Sequence, residues 1–430
     1  MYYLIGIKGT DMSALTSLLK DLGYEVKGSD SDNHQFTEEF LKEKEIEILP
    51  FSKDNIKEDM YIIKGENIKD DNIEVEKAKE LNIKISTYED MISKLTTMFQ
   101  TIAVAGCHGK TLTSSKLAYV LDNIKGTNYL VGDGSGHGSK EDKYFVLEAC
   151  EYKRNFLKYH PYYAIITSID YDHSDYYKTI DEVINAYQDF ADNAEKMVIA
   201  CGDDQYTHSL EVSKPIFYYG LDDDNDIIAK DVNYSEDGIA FDVFIEDNYY
   251  GHFDLPIYGK HMLLDTLAVI SFCYYERIEA KEVNKLLKNY KGAKRIFNET
   301  KVLDNIIIDD NAHHPNEVKA TIKSINQKYP NKDIIIIFEP HTYSKTEIFK
   351  EDYIQILSKL KKTYILNIKE NNEDYQKIVT ELSKKIPNAE VITENETDKI
   401  ETYQNSVIAF LSANDLTDLE KKYINKYENI

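Results

Sequence analysis

TIAVAGCHGKTLTSSKLAYVLD, residues 101–122, runs an apolar strand straight into a glycine-bearing loop and then into a stretch with helical periodicity. Small residues between a strand and a helix let consecutive backbone N–H groups turn inward around a phosphate, and the helix N-terminus adds partial positive charge. In such a loop Lys110 reaches the terminal phosphates and Thr111 serves magnesium. Gly106 and Gly109 enclose only two residues, fewer than in the GxxxxGK[ST] form. By spacing alone a plain glycine turn is the competing reading, and the strong strand and helix on either side favour the phosphate loop. Lys110 is expected to be poorly packed when no phosphate is present.

On the N-terminal side, YYLIGI (Tyr2–Ile7) reads as a strand, MSALTSLLKDLG (Met12–Gly23) as a helix ending at glycine, and YEVKGSD as a second strand. That is a βαβ start with a glycine turn. IEILPF, MYIIKG and IKISTY continue as strands. On the C-terminal side, YFVLEA (Tyr144–Ala149), YAIITSI (Tyr163–Ile169) and MVIACG (Met197–Gly202) read as strands, GIAFDVFIEDNYYGHFDLPIYG as hairpins, and LLDTLAVISFCYYE (Leu263–Glu276) as a helix. NIIIDD, DIIIIFEP, TYILNI and SVIAFLS then alternate with helical segments. The reading is α/β with three domains: a Rossmann-like N-terminal domain over 1–97, a central P-loop domain with a parallel sheet over 98–291, and a Rossmann-like C-terminal domain over 292–430.

The composition fits that reading. A chain of 430 residues exceeds the roughly 100–200 of one domain. Hydrophobic residues at 42% and charged residues at 30% are those of a globular protein with a sizeable core. The 51 Lys and Arg against 76 Asp and Glu give a formal net charge of −25. That balance opposes nucleic acid and anionic membrane surfaces, so any bound phosphate needs a local site. No apolar run is long enough to span a membrane and the N-terminus lacks a leader pattern, so a cytoplasmic location is expected. Cys107, Cys150, Cys201 and Cys273 are scattered, as reduced and mostly buried thiols would be.

GIKGTDMSAL, YEVKGSD, AVAGCHGKT, YFVLEACEYKRNFL, YAIITSIDYDH, YGKHMLLDTLAV, YKGAKRIFNET, IIDDNAHHPNEVKATI and IIIIFEPHTYSKT follow in this order along the chain. In these elements the chain resembles the Mur ligases over nearly its whole length, and the short GxxGKT loop is shared with the folylpolyglutamate synthetases. HHP and FEPHTYSKT point within the resemblance to the branch that adds L-alanine to UDP-N-acetylmuramate in peptidoglycan precursor synthesis. The resemblance implies ATP as substrate, Mg2+ as cofactor and an acyl phosphate that an amine attacks.

Carried over residue by residue, the resemblance assigns Gly106, His108, Gly109, Lys110 and Thr111 to ATP, with His261, Arg295 and Asp310 completing the nucleotide site. Thr111, Glu148 and His173 are implied metal residues. Lys110, His173, His313 and Lys345 are implied catalytic residues. Gly6, Gly9, Ser13 and Asp30 are implied contacts of the UDP-sugar. The competing readings are a solvated loop position for Glu148, a helix cap for His173 and for Asp310, and a structural role for His108. Of His313 and His314, adjacent and therefore pointing apart, His313 is chosen for the reaction centre.

The chain also departs from the family pattern. Asp11 stands where glycine is usual and sets a negative charge beside the expected diphosphate. Met262 and Asp265 replace two asparagines, Ile296 an arginine, Asn311 a tyrosine, Lys345 an arginine and Asn414 a glycine. An Arg replaced by Ile loses both charge and a forked donor. Arg295, one position earlier, is the expected substitute.

Overall fold

Three runs of buried aliphatic strands, each interleaved with helices, build three sheets in the computed structural model, which describes residues 1–33, 35, 37–368, 372–413 and 418–428. The first sheet is parallel, in the order Ile48–Pro50, Val26–Asp30, Tyr2–Ile5, Tyr61–Lys64, Ile85–Thr87. Its first helix, Thr10–Asp21, starts two residues before the expected Met12 and stops ahead of Gly23, whose φ of 80° ends it.

Among the described residues the central sheet has ten strands, in the order Asn248–Leu255, Gly238–Ile245, Ile227–Ser235, Ile216–Gly220, Met197–Cys201, Tyr163–Ile166, Gln100–Ala105, Tyr144–Glu148, Thr127–Leu130, Gly136–His137. The strands from Ile227–Ser235 to Thr127–Leu130 pair in parallel, whereas Gly136–His137 is antiparallel. The sheet is therefore mixed, a parallel core with the expected hairpin strands Gly238–Ile245 and Asn248–Leu255 added at one edge. The turn between Ile245 and Asn248 uses Glu246 and Asp247, both at positive φ (47° and 65°). Two consecutive left-handed residues match the twist of a two-residue hairpin, a place that usually falls to Asn-Gly. Gln100–Ala105 lies inside the sheet, so its C-terminal end presents the glycine loop where open α/β sheets gather ligands.

The third sheet runs Asn298–Val302, Asn305–Asp310, Ser406–Leu411, Asp333–Phe338, Lys362–Leu366, Ala389–Ile392, parallel except for its first pair. Its inner strands are buried on both faces, which is why Ile334–Ile337 reads as an unbroken apolar run. Asn298–Val302 and Ala389–Ile392 were not among the expected strands. Both are partly exposed edges with little hydrophobic pattern.

Chain packing divides the molecule into two compact units. One holds residues 1–231, 241–253 and 264–290, and the other 232–240, 254–263 and 291–430. The first sheet and most of the central sheet thus share a unit and a continuous core in which Leu15 and Leu18 join Phe145, Phe156 and Tyr187. Helix Thr10–Asp21 comes so close to strand Gly136–His137 that a Cβ on Gly136 would stand 2.1 Å from Ala14 O. Among the described residues no helix is long and apolar enough to cross a membrane.

Candidate functional site

The glycine loop is held open by what surrounds it. Gly106 has φ 151°, and a Cβ there would lie 1.9 Å from Thr167 Oγ1; Gly109 has φ 81°, and its Cβ would lie 2.2 Å from Asp265 Oδ1. A side chain at either place would meet its neighbour and strain a backbone that glycine adopts freely. The loop is tied to the segment after strand Tyr163–Ile166: Cys107 N donates to Ser168 O, His108 N to Ser168 Oγ, and the Thr167 hydroxyl to His108 O. The His108 ring is fixed by Asp170, with Nε2 3.0 Å from Oδ2. Helix Lys110–Ile124 starts directly after Gly109.

Lys110 is well packed, contrary to expectation. Its ammonium donates to Gly106 O and lies 3.0 Å from Glu151 Oε2. Glu151 is 1% exposed. Burial alone would lower the Lys110 pKa, and the Glu151 carboxylate reverses this, holding it above the ordinary lysine value. For Glu151, burial pushes up, but Lys110 and then His173 outweigh it and bring the carboxyl down to about 2. His173 Nε2 is 3.3 Å from Glu151 Oε1, and its ring stacks on Tyr152 with centroids 4.7 Å apart. The next helix, Ile180–Asp192, takes its cap from Thr179, so His173 is not a helix cap. Reading the sequence missed Glu151, although it stands three residues after Glu148 in the same LEACE segment.

Glu148 ends its strand beside the loop and accepts from Gly132 N at 2.8 Å and from Thr111. Burial pushes its carboxyl up to about 7, against Lys110 and these hydrogen bonds, with Asp11 adding repulsion. One ligand atom each from Glu151, Asp172 and His173 lie within 4.8 Å of one another, close enough to share a cation. One strand end, one loop and one helix start therefore bring Gly106, His108, Gly109, Lys110, Thr111, Glu148 and His173 together.

The N-terminal turn belongs to the same unit. Gly6 has φ 85°, Gly9 precedes helix Thr10–Asp21, and Asp30 accepts from Lys8 N and Ser31 N at 2.8 and 2.7 Å. Ser13 is fully buried on the inward face of that helix, while Asp11 is exposed in its first turn.

The other unit holds His261, Arg295, Asp310, His313 and Lys345. Asp310 accepts from Phe297 N and Ala312 N at 2.9 and 2.8 Å, and burial pushes its carboxyl up to about 7. Arg295 adopts φ 58°, and its guanidinium is held by Asp309 at 3.3 Å and Ser412 O at 2.9 Å. Asn311 N donates to Arg295 O, and His313 Nδ1 is 2.7 Å from Asn311 O. Arg295, Asp310 and His313 thus share one pair of loops at the end of strand Asn305–Asp310. His314 points elsewhere: buried, it caps helix Pro315–Lys328 and meets Phe349 edge-on. The Asp310 carboxylate serves the loops on both sides of its strand, and helix Pro315–Lys328 takes its cap from His314, so the helix-cap reading fails. His261 sits in the first turn of helix Gly259–Tyr275, which starts four residues before the expected Leu263. Lys345 lies in helix Tyr343–Ile348, capped by Thr342. Asn414 falls outside the described residues.

Three α/β domains thus carry a short phosphate-type loop at the C-terminal end of an inner strand. Comparison with known families agrees: the chain matches the Mur ligase family catalytic domain over residues 1–100, the Mur ligase middle domain over 104–273 and the Mur ligase glutamate ligase domain over 297–413. The chain belongs to the Mur ligase family, whose members are ATP-dependent ligases of peptidoglycan synthesis. Among solved structures it is similar to the UDP-N-acetylmuramate-alanine ligase of Thermotoga maritima (TM-score 0.83, 22% identity, 100% of this chain and 99% of that one). It is also similar to a murein peptide ligase of Psychrobacter arcticus (0.75, 20%, 100% and 99%). A third is the MurF ligase of Thermotoga maritima in complex with ADP (0.65, 16%, 96% and 99%). At these identities the likeness is one of fold.

Proposed function

We propose that this chain joins L-alanine to the carboxylate of UDP-N-acetylmuramate at the expense of ATP. The carboxylate oxygen attacks the γ-phosphorus and ADP leaves; the amine then attacks the acyl phosphate, giving the amide and inorganic phosphate. Such chemistry asks for positioning and for neutralisation of charge on the transferred group. The observation that carries the reading is Lys110, held at the mouth of the glycine loop by a buried carboxylate beside His173. Phosphate oxygens offer Lys110 the same negative charge that Glu151 supplies.

Magnesium prefers oxygen ligands, and the Thr111 hydroxyl and the Glu148 carboxylate fit it, with His173 beside Glu151. A carboxyl that burial pushes up to about 7 stands to gain from a cation. Bound there, magnesium would offset the charge of the β- and γ-phosphates. In this reading residues 98–291 hold the ATP phosphates, and His261, Arg295 and Asp310 the rest of the nucleotide. Residues 1–97 hold the UDP-sugar through Gly6, Gly9, Ser13 and Asp30, and His313 and Lys345 in 292–430 serve the ligated carboxylate and the amino acid.

The test is phosphate release from ATP with magnesium, UDP-N-acetylmuramate and one amine at a time. L-alanine is expected to be the preferred amine. The likeness to a murein peptide ligase makes a short peptide the competing amine, and preference for it would replace the alanine reading. Background release with every amine would defeat the ligase reading and leave a non-catalytic relative that binds the sugar nucleotide.

A further inference from the structure

Lys8 stands inside the Gly6–Gly9 turn, where a cation would be placed to meet a diphosphate. The fold turns it the other way. Lys8 is 6% exposed, and its ammonium donates to Ser31 O at 2.8 Å and Asn33 O at 3.0 Å and lies 2.8 Å from Glu38 Oε1. An ammonium has three hydrogens to donate, and these three oxygens take them. The Lys8 hydrogen bond, joined by those from Gln35 N and Lys42, outweighs burial and brings the Glu38 carboxyl down to about 2. The Lys8 backbone is engaged as well: Lys8 N donates to Asp30 Oδ2 at 2.8 Å, and Lys8 O accepts from the hydroxyl of fully buried Thr37. The other Asp30 oxygen, Oδ1, accepts from Ser31 N at 2.7 Å. Lys8 therefore holds Asp30 from two sides, once by its own N–H and once through Ser31.

We infer that Lys8 is a positioning residue for the sugar nucleotide: its ammonium ties Ser31, Asn33 and Glu38 to the glycine turn and so sets Asp30 before the ligand arrives. This rests on the proposed place of the UDP-sugar in residues 1–97. Lys8 acts through the turn and not by touching phosphate, because its three donors are already taken. Removing the ammonium takes this donor from two carbonyl oxygens and from a carboxylate that is 12% exposed, and the chain moves to bring them to water. Glu38→Gln keeps an oxygen in place without its charge, so it loosens the tie without cutting it.

The experiment uses the full chain with Lys8→Met and Glu38→Gln. Calorimetry at low and at high salt gives the Kd for UDP-N-acetylmuramate and, separately, for magnesium-ATP, at a temperature below each melting transition. Lys8→Met is expected to weaken the sugar nucleotide at least about tenfold and Glu38→Gln at least about threefold, as for loss or neutralisation of one partner of a buried pair. ATP should bind both variants as it binds wild type, and the salt dependence of the sugar nucleotide should stay that of wild type, since no charge that meets the ligand has been removed. Either variant binding the sugar nucleotide like wild type, or weakening both ligands equally, would overturn the inference. So would a flattened salt dependence in Lys8→Met, or tighter binding by Glu38→Gln, because each would mean that the ammonium meets the diphosphate itself. If Lys8→Met does not fold, Glu38→Gln decides by the same threefold limit. A wild type that binds no sugar nucleotide overturns the proposed UDP-sugar site and the inference with it, whereas a wild type that binds, with unaffected variants, overturns the inference alone.

Discussion

Lys110 and Glu151 are 3.0 Å apart across the boundary between the glycine loop and the segment after strand Tyr144–Glu148, and Glu151 has almost no contact with solvent. The pair gives Lys110 a job before any nucleotide arrives. It also makes the loop lysine a structural residue.

Lys110→Ala is therefore expected to lose stability as well as turnover. Breaking a buried pair by removing one partner costs about 3–5 kcal/mol, and His173, the second group on Glu151, keeps the loss toward the lower figure. Phosphate release should fall by about 10²–10³-fold or more, as for loss of a contact to developing charge. Adding Glu151→Gln to Lys110→Ala should restore much of the stability and none of the turnover. Urea denaturation and phosphate release on the two variants check this, and an unchanged midpoint for Lys110→Ala would contradict the buried-pair account.

Acid should release the same pair. Glu151 drops from an ordinary value of 4.5 to about 2 in the folded chain, so the unfolded chain binds more protons between these limits. Stability from this group is fully present above about pH 4.5 and is lost as pH falls toward 2. At about 1.4 kcal/mol per pH unit the full loss is on the order of 3 kcal/mol. Denaturation midpoints at pH 6, 4 and 3 should fall more steeply for wild type than for Glu151→Gln.

Arg295 is expected to supply the cation that Ile296 lacks. Arg295→Ala should cost on the order of 2–4 kcal/mol in kcat/KM. Arg295→Lys should recover only part, because lysine keeps the charge without the fork that meets Asp309 and Ser412 O. Ile296→Arg should leave the rate nearly unchanged. Steady-state kinetics on the three variants decide, and a silent Arg295→Ala in an active wild type would remove Arg295 from the site.

Gly136→Ala should destabilise the chain by about 1–3 kcal/mol, because its Cβ would meet backbone at Ala14 that has no rotamer to yield. The measurement is the denaturation midpoint. A midpoint equal to wild type would mean that helix Thr10–Asp21 moves away at no cost.

The sequence was legible where a local pattern and a global role coincide. Strand Gln100–Ala105, the left-handed glycines and the helix from Lys110 were all visible in one apolar run and one loop. The isoleucine runs of the third sheet were equally plain, since strands buried on both faces need no alternation. What stayed hidden depends on contacts distant in sequence. Glu151 stands out only once folding sets it beside Lys110, and Lys116 only once its ammonium meets Thr266, 150 positions on. The hairpin strands Gly238–Ile245 and Asn248–Leu255 were legible from their alternation alone, since the Glu246–Asp247 turn between them carries no glycine or asparagine.

The contact between Ala14 and Gly136 bears on how this chain can be recombined. Residues 1–97 and the strands that follow them share one surface, at which Gly136 and Gly138 face the backbone of Ala14 and Leu18. A chimera that takes its first 97 residues from a relative inherits a helix shaped for a different groove. The exchangeable cassette is instead the first two sheets together, and libraries built with a crossover near residue 97 should survive mainly where the donor helix carries small residues opposite those two glycines.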